Sequence, residues 1–317
     1  MHLNVQSTRL FPKNLGADAY VLTGIAARCD WVFLSDTAQP QTHLVRRVET
    51  RAPRHVYLSL RSPAVALKGF VEQVLPLLED SFVLVSGSED VTLPNQIDAR
   101  WNSFADTCPG AVDAILAAPG LTHWFVENLD DATNSKMSPL PLGMVFPDPE
   151  ATDWIAIPPH IPFSERPIRV LCGHRVRSGA QWDARKRITQ TAREHWADWC
   201  TVLEEEVTEA DFLALMQDHA FVICAEGGGL DPSPKAWQTL LHGSAPIIRS
   251  SPTASAYADL PVAFVPDWRP EDLTRRKLAD WHSALASRFD APEARTQIHA
   301  RLGIEYWWAK IQERARP

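Results

Sequence analysis

Short apolar runs of strand length alternate with longer stretches of helical periodicity along most of this chain, and few folds accept such a pattern. In the first half, His55–Leu60 reads as a strand. Apolar residues then recur at helical spacing over 65–78, with Phe70, Val71, Val74, Leu77 and Leu78 on one face and Pro76 kinking the end. Phe82–Val85 is a continuous apolar run, as expected of a parallel strand buried on both faces. A short helix over Ala111–Ala118 and a strand over Thr122–Val126 complete a strand–helix alternation of the βαβ type. A proline-rich stretch follows, Phe146–Pro149 and then Ile157–Pro167, which suits a stiff connection between domains. The alternation then resumes. Arg169–Cys172, Thr201–Glu204, Ala220–Cys224, Ala245–Arg249 and Val262–Val265 read as strands. Gln181–Trp196 is an amphipathic helix, Thr208–Asp211 resembles a capping box opening another, and Pro234–His242 is a third. The pattern predicts an α/β protein with two Rossmann-like doubly wound domains facing a cleft. Residues 1–155 form the first and 156–300 the second, while 301–317 is a C-terminal helix that can pack back on the first.

Composition narrows the function classes. A length of 317 residues fits two medium domains, and no apolar run reaches the roughly 18–20 residues of a membrane span. A net charge of −8 argues against a generic nucleic-acid or anionic-membrane binder. The five cysteines are odd in number and never in CxxC spacing, which fits a reducing, cytoplasmic setting and no disulfide framework. The N-terminus lacks the apolar core and cleavage site of a secretory signal. Twenty-five prolines against 14 glycines imply rigid loops rather than flexible linkers.

The strongest local signal is Phe221–Arg249, where a buried strand runs into Glu226-Gly227-Gly228-Gly229 and a helix opens near Pro234. Three glycines let the backbone approach a ligand, and a helix N-terminus favours an anion. Lys235 sits in the first helical turn, where the dipole disfavours a cation unless an anion offsets it. The same loop can also serve only to turn the chain. Neither GxxxxGK[ST] nor GxGxxG is present. Arg175 and Arg177 follow the strand Arg169–Cys172, at the end where open α/β sheets bind ligands, although a solvated basic loop has the same composition. Of Arg185, Lys186 and Arg187, at least two read as a solvated helix face. Glu89 and Asp90 follow the strand Phe82–Val85, either as surface acids or as a catalytic pair in which Glu89 raises the pKa of Asp90. His123 reads as a core histidine, and Trp196, Trp199, Trp307 and Trp308 as packing residues. No DxD, HxH or HExxH spacing occurs, so no metal site is expected.

The segment EGGGLDPSPKAWQTLLHGSAPIIRSSPTASAYADLPVAFVPDW, residues 226–268, resembles the donor-binding segment of exostosin-like glycosyltransferases, particularly their bacterial and viral members. The matching positions are Asp231, Lys235, Trp237, Gly243, Pro246, Ile247, Tyr257, Asp259, Leu260, Pro261, Val262, Asp267 and Trp268. Trp124–Asn128, Lys136 and Pro139–Gly143 resemble the family's F-x-x-N … K … I-P-I-G segment, and Val85–Asp90 its S/H-x-x-D loop. Departures are Pro234-Lys235 in place of a basic pair, and Gln238 where the family commonly has Glu.

The resemblance implies a GT-B, inverting glycosyltransferase that moves a sugar from a nucleotide-sugar donor to a glycan or glycoconjugate acceptor, in polysaccharide biosynthesis or a related pathway. The second domain would hold the donor through Arg175, Arg177, Glu226, Gly227, Gly228, Gly229, Asp231 and Lys235. The first would hold the acceptor, with Asp90 as catalytic base and Glu127 and Asn128 at the substrate. The nucleotide sugar is a co-substrate, so no resident cofactor or metal is expected, and the partners exclude nucleic acid and membrane. The competing readings are a catalytically reduced nucleotide- or glycan-binding protein of the same fold, and a GT-B-like nucleotide-sugar epimerase.

Overall fold

The computed structural model describes residues 2–148, 154–159, 161–174, 179 and 182–315. The chain forms two compact units. One comprises Asn4–Ile155, Gly228–Leu230 and Gly303–Pro317; the other comprises Met1–Leu3, Ala156–Gly227 and Asp231–Leu302. Among the described residues, no helix is long and apolar enough to cross a membrane. All five cysteines are buried free thiols.

Elements are numbered in chain order. The strand β1 (His2–Asn4) forms a small ribbon with β8 (Trp154–Ala156). The sheet of the N-terminal unit contains β2 (Trp31–Ser35), β3 (Thr42–Arg46), β4 (His55–Ser59), β5 (Phe82–Gly87), β6 (Leu121–Val126) and β7 (Met137–Pro139). Its order is β3-β2-β4-β5-β6-β7, with β2 and β3 antiparallel and every other neighbouring pair parallel. Position explains the residue types. The inner strand β5 is buried along its whole length and apolar through its first four residues, whereas the edge strand β3 is only partly covered. The helical stretch that follows β4 is not uniform. α1 (Pro63–Gly69) passes into a wider π-turn at Phe70–Val74 and a tight 3₁₀ turn at Leu75–Leu77, where Pro76 has no N–H to continue the ladder. α2 (Phe104–Thr107) and α3 (Ala111–Leu116) pack with α1 against one sheet face, around Phe33, Phe70, Leu84 and Trp124.

The sheet of the C-terminal unit is parallel throughout. It comprises β9 (Val170–Cys172), β10 (Cys200–Val202), β11 (Phe221–Ile223), β12 (Ala245–Arg249) and β13 (Ala263–Val265), in the order β10-β9-β11-β12-β13. Between these strands come α4 (Asp183–His195), α5 (Glu209–Gln217) and α6 (Lys235–Leu241). α7 (Arg275–Asp290) and α8 (Ala294–Leu302) follow β13. The chain leaves β9 for β10 on one side and returns to place β11 on the other. The order therefore reverses between β9 and β11, which makes this the topological switch point of a doubly wound sheet. α9 (Ile304–Arg314) ends the described chain and belongs to the N-terminal unit.

Two arginines fix the end of α6. Arg166, 3% exposed, donates to the carbonyls of Met216 and His242 and to Ser244 Oγ, at 2.9, 2.6 and 2.8 Å. Arg295 donates to the carbonyls of Leu240 and Leu241, at 2.9 and 2.7 Å. Helix carbonyls without an intrahelical partner thus meet guanidinium donors at the negative end of the dipole. Gly243, at φ +78°, supplies the left-handed residue just beyond the helix. Burial and the charge of Arg295 bring the pKa of Arg166 down to about 10, so it remains a cation at neutral pH. Trp237, fully buried on the inner face of α6, meets Tyr257 edge-on at 5.4 Å and donates its indole N–H to Leu302 O.

Candidate functional site

In the N-terminal unit, three neighbouring parallel strands deliver charged residues from their carboxyl ends to one sheet edge. Arg61 follows β4, Ser88-Glu89-Asp90 follow β5, and Glu127-Asn128 follow β6. Arg9 arrives from the N-terminal segment and is 9% exposed at its side chain. It pairs with Glu127 at 2.9 Å, with Asp90 in a short contact, and with Glu89 at 3.6 Å. Arg61 reaches Glu89 at 3.2 Å, and Arg100 bridges Glu89 and Asp90 at 3.1 and 3.0 Å. Three guanidiniums therefore face three carboxyl groups in a largely dry setting. Truncating one member of a buried pair typically costs about 3–5 kcal/mol, because the other charge is left without its partner.

The carboxyls differ in character. Burial pushes the pKa of Asp90 up, but the charges of Arg9 and Arg100 and a hydrogen bond from Arg9 hold it below the usual range. The expectation that Glu89 raises Asp90 is thereby corrected, since the guanidiniums outweigh the like charge. Glu127 goes the other way. Burial raises it to about 7, against the pull of Arg9 and of hydrogen bonds from Thr8 Oγ1 and the Ser88 N–H. Glu89 and Asp90 are accordingly cluster members rather than loose surface acids. The backbone accommodates Glu127 closely, for a Cβ on Gly87 would lie 2.8 Å from its Oε2. His123 matches the core reading: it bonds Ser138 Oγ at 2.9 Å, and burial lowers its pKa to about 4.

The glycines Gly228 and Gly229 belong to this same unit. Asn128 Oδ1 accepts the Leu230 N–H at 2.8 Å. A Cβ on Gly229 would lie 2.4 Å from that oxygen, and one on Gly228 would lie 3.1 Å from Asp90 Oδ2. The absence of side chains at these two positions is what lets the loop lie against Asp90 and Asn128.

In the C-terminal unit, Gly173 and His174, just past β9, and the loop leaving β11 flank the switch point. Lys235, first residue of α6, donates to Gly173 O at 2.6 Å, just past β9, and its ammonium lies 4.4 Å from the Phe212 ring centroid. Arg185, in the first turn of α4, donates to Glu226 O at 2.8 Å and lies 4.8 Å over the Trp182 ring. His174 Nε2 lies 3.0 Å from both Arg185 O and Thr189 Oγ1, tying the end of β9 to α4. Glu226 pairs with Arg249, from the end of β12, at 2.7 Å. Burial raises the pKa of Glu226, and the Arg249 charge only partly offsets it. Asp231 Oδ1 accepts from Tyr257 OH and the Ser233 N–H, both at 2.7 Å.

Arg175 and Arg177 lie outside the described residues. Glu226, Gly227 and Lys235 are gathered at one sheet edge; Asp90, Glu127 and Asn128 are gathered at another. Sequence reasoning missed Arg9, Arg61, Arg100 and Thr8, and it left Arg185 among three residues read mostly as a solvated face. Lys186 and Arg187 do lie exposed there. Among the described residues, no group of three His, Cys, Asp or Glu is arranged to hold a metal ion.

No family model and no curated protein matches the chain. Among solved structures, it is similar to a spinosyn rhamnosyltransferase complexed with spinosyn aglycone, at 13% identity over 82% of this chain and 73% of that one, with a TM-score of 0.37. TarM is similar at 10% identity over 83% and 55%, with a TM-score of 0.44. A GtfA/B complex is similar at 10% identity over 89% and 65%, with a TM-score of 0.38.

Proposed function

We propose that the protein is an inverting, exostosin-like glycosyltransferase that uses a nucleotide-sugar donor and a glycan or glycoconjugate acceptor. The observation that carries this reading is the gathering of Lys235, Arg185 and the Glu226–Gly227 loop where the strand order reverses between β9 and β11. Doubly wound sheets bind nucleotides outside the carboxyl ends of their strands at such a point. In this role Lys235, with Arg175 and Arg177, stabilises the charge that develops on the leaving diphosphate, and Glu226 and Asp231 border the nucleotide or its sugar. The acceptor side is assigned to the carboxyl cluster of the N-terminal unit.

Inversion in one displacement forms a bond from the acceptor oxygen to the anomeric carbon and breaks the bond to the diphosphate. The proton leaving the acceptor hydroxyl needs a resting place. Asp90 and Glu127 share Arg9, so they titrate as a linked pair. Asp90, 24% exposed at its side chain, is the member nearer to solvent, and Glu127 is the one that titrates near neutrality. In this reading Asp90 orients the hydroxyl and the proton comes to rest on Glu127.

The test is nucleotide release from UDP-, GDP-, dTDP- and CMP-sugars with and without an oligosaccharide acceptor pool. Acceptor-dependent release of one free nucleotide supports the transferase. Acceptor-independent conversion of the donor sugar points to an epimerase. Binding without turnover points to a reduced, ligand-holding protein.

A further inference from the structure

The loop joining β5 to α2, together with α2 and the start of α3, borders an open cavity that neither the sequence motifs nor the cluster around Arg9 uses. It measures about 480 Å³, within the range of small-ligand sites. Trp101 and Phe104 supply apolar surface, and Asn95, Asp98, Ser103 and Asp113 supply polar surface. We infer that this cavity is a binding site for a neutral saccharide, with Trp101 as its stacking platform.

Three observations lead there. The first is that the walls are rigid before any ligand arrives. Asp98 Oδ2 accepts from the Thr92 N–H at 2.9 Å and from its hydroxyl at 3.1 Å, while Asp98 Oδ1 accepts from the Arg100 N–H at 3.1 Å. Gln96 donates to Asn102 O at 2.9 Å and accepts from the Phe104 N–H at 2.6 Å. Asn95 N–H is held by Asp130 at 3.0 Å. A preformed wall reduces the ordering cost of binding.

The second observation is the state of the indole. Trp101 is partly exposed and lines the cavity. The ring itself is fixed, with the Arg100 guanidinium 5.7 Å from its centroid. An aromatic ring that lines a cavity beside polar acceptors suits a ligand having both C–H faces and hydroxyl groups.

The third is charge. No lysine, arginine or histidine lines the cavity, so phosphates and uronic acids find no cation there. Asp98 and Asp113 line it as carboxylates, which accept hydrogen bonds from sugar hydroxyls. The lining thus offers acceptors at Asn95, Asp98, Ser103 and Asp113 for hydroxyl groups, and the Trp101 ring for a sugar face.

Arg100 ties this cavity to the catalytic cluster, since the guanidinium over Trp101 also pairs with Asp90. That the saccharide is the acceptor chain, seated next to the carboxyl pair, rests on the proposed transferase reading. The binding itself does not.

The experiment follows the twelve indole N–H signals of the full chain by ¹H–¹⁵N NMR, with Trp101→Phe assigning one of them. Maltotriose, cellotriose and chitotriose are titrated without nucleotide sugar, beside spermidine and glucuronic acid as charged controls. At least one neutral trisaccharide is expected to shift the Trp101 signal saturably, and Trp101→Ala is expected to weaken that saccharide about ten-fold or more. Ala105→Trp, at an exposed lining position, is expected to abolish binding while leaving the other indole signals in place, and it serves if the alanine variant does not fold. Silence of the Trp101 signal toward all three saccharides overturns the inference. So does unchanged affinity in the variants, or a response to spermidine or glucuronic acid alone. Because no donor is present, loss of transfer activity in a separate assay bears on the proposed function and not on this site.

Discussion

Glu127 and Asp90 share one guanidinium yet depart from the ordinary carboxylate value in opposite directions. Burial dominates at Glu127 and raises its pKa to about 7, whereas at Asp90 the arginines outweigh burial and lower it. The sign for stability follows by linkage. Between about pH 4.5 and 7 the native Glu127 keeps a proton that an unfolded glutamate gives up. The native state therefore loses stability as pH rises through that window, by about 3 kcal/mol at most. Asp90 acts below its unfolded value, where stability falls as the pH drops toward the native pKa. Glu127→Gln should flatten the melting temperature against pH between about 4.5 and 7; a curve of unchanged slope would contradict the assignment. The same variant should lower turnover about 10²–10⁴-fold, the usual effect of losing a positioned proton acceptor. Asp90→Asn should cost less and leave a neutral-pH inflection in the rate profile. If Asp90→Asn removes that inflection and Glu127→Gln keeps it, the roles are reversed.

Strands and loops divide sharply in how readily the sequence discloses them. β5, β6 and β11 are legible because each inner parallel strand carries an apolar run, Phe82–Val85, Trp124–Val126 and Phe221–Ile223, and α5 because Thr208 caps it through the Asp211 N–H. β2 and β3 are not read from the sequence at all: Trp31–Ser35 is a five-residue run, and its partner is a half-covered edge. The arginines are illegible for a different reason. Arg9, Arg61 and Arg100 are far apart in sequence, and nothing local separates a buried guanidinium from a solvated one. Only the shared carboxyl edge of β4, β5 and β6 brings them together. The three glycines suggest a close approach of backbone to a ligand; what approaches Gly228 and Gly229 within this unit is Asp90 and Asn128. Gly229→Ala should destabilise the fold by about 1–3 kcal/mol through overpacking. Pairing it with Asn128→Ala opens the space, so the double variant should be more stable than the two single costs predict, by at least about 0.5 kcal/mol. Chemical denaturation measures the cycle, and strict additivity would show that the two side chains do not compete.

At the scale of the whole molecule, the proposed chemistry is divided between two α/β units, the nucleotide sugar on the C-terminal unit and the acceptor on the N-terminal one. Charge neutralisation is assigned to basic side chains, so transfer should persist in saturating EDTA. Complete loss that Mn²⁺ or Mg²⁺ restores would place a metal in the reaction. The central claim is donor binding at the switch point between β9 and β11, and thermal shift against UDP-, GDP-, dTDP- and CMP-sugars tests it most directly. A ligand that binds only the native state raises the melting temperature in proportion to its occupancy. One nucleotide sugar should raise it in the wild type. Lys235→Ala should weaken that nucleotide about ten-fold or more, as expected from losing a charge-assisted contact of about 1.5–3 kcal/mol. No shift with any of the four, or an equal shift in wild type, Lys235→Ala and the Arg175→Ala/Arg177→Ala double variant, would contradict the account.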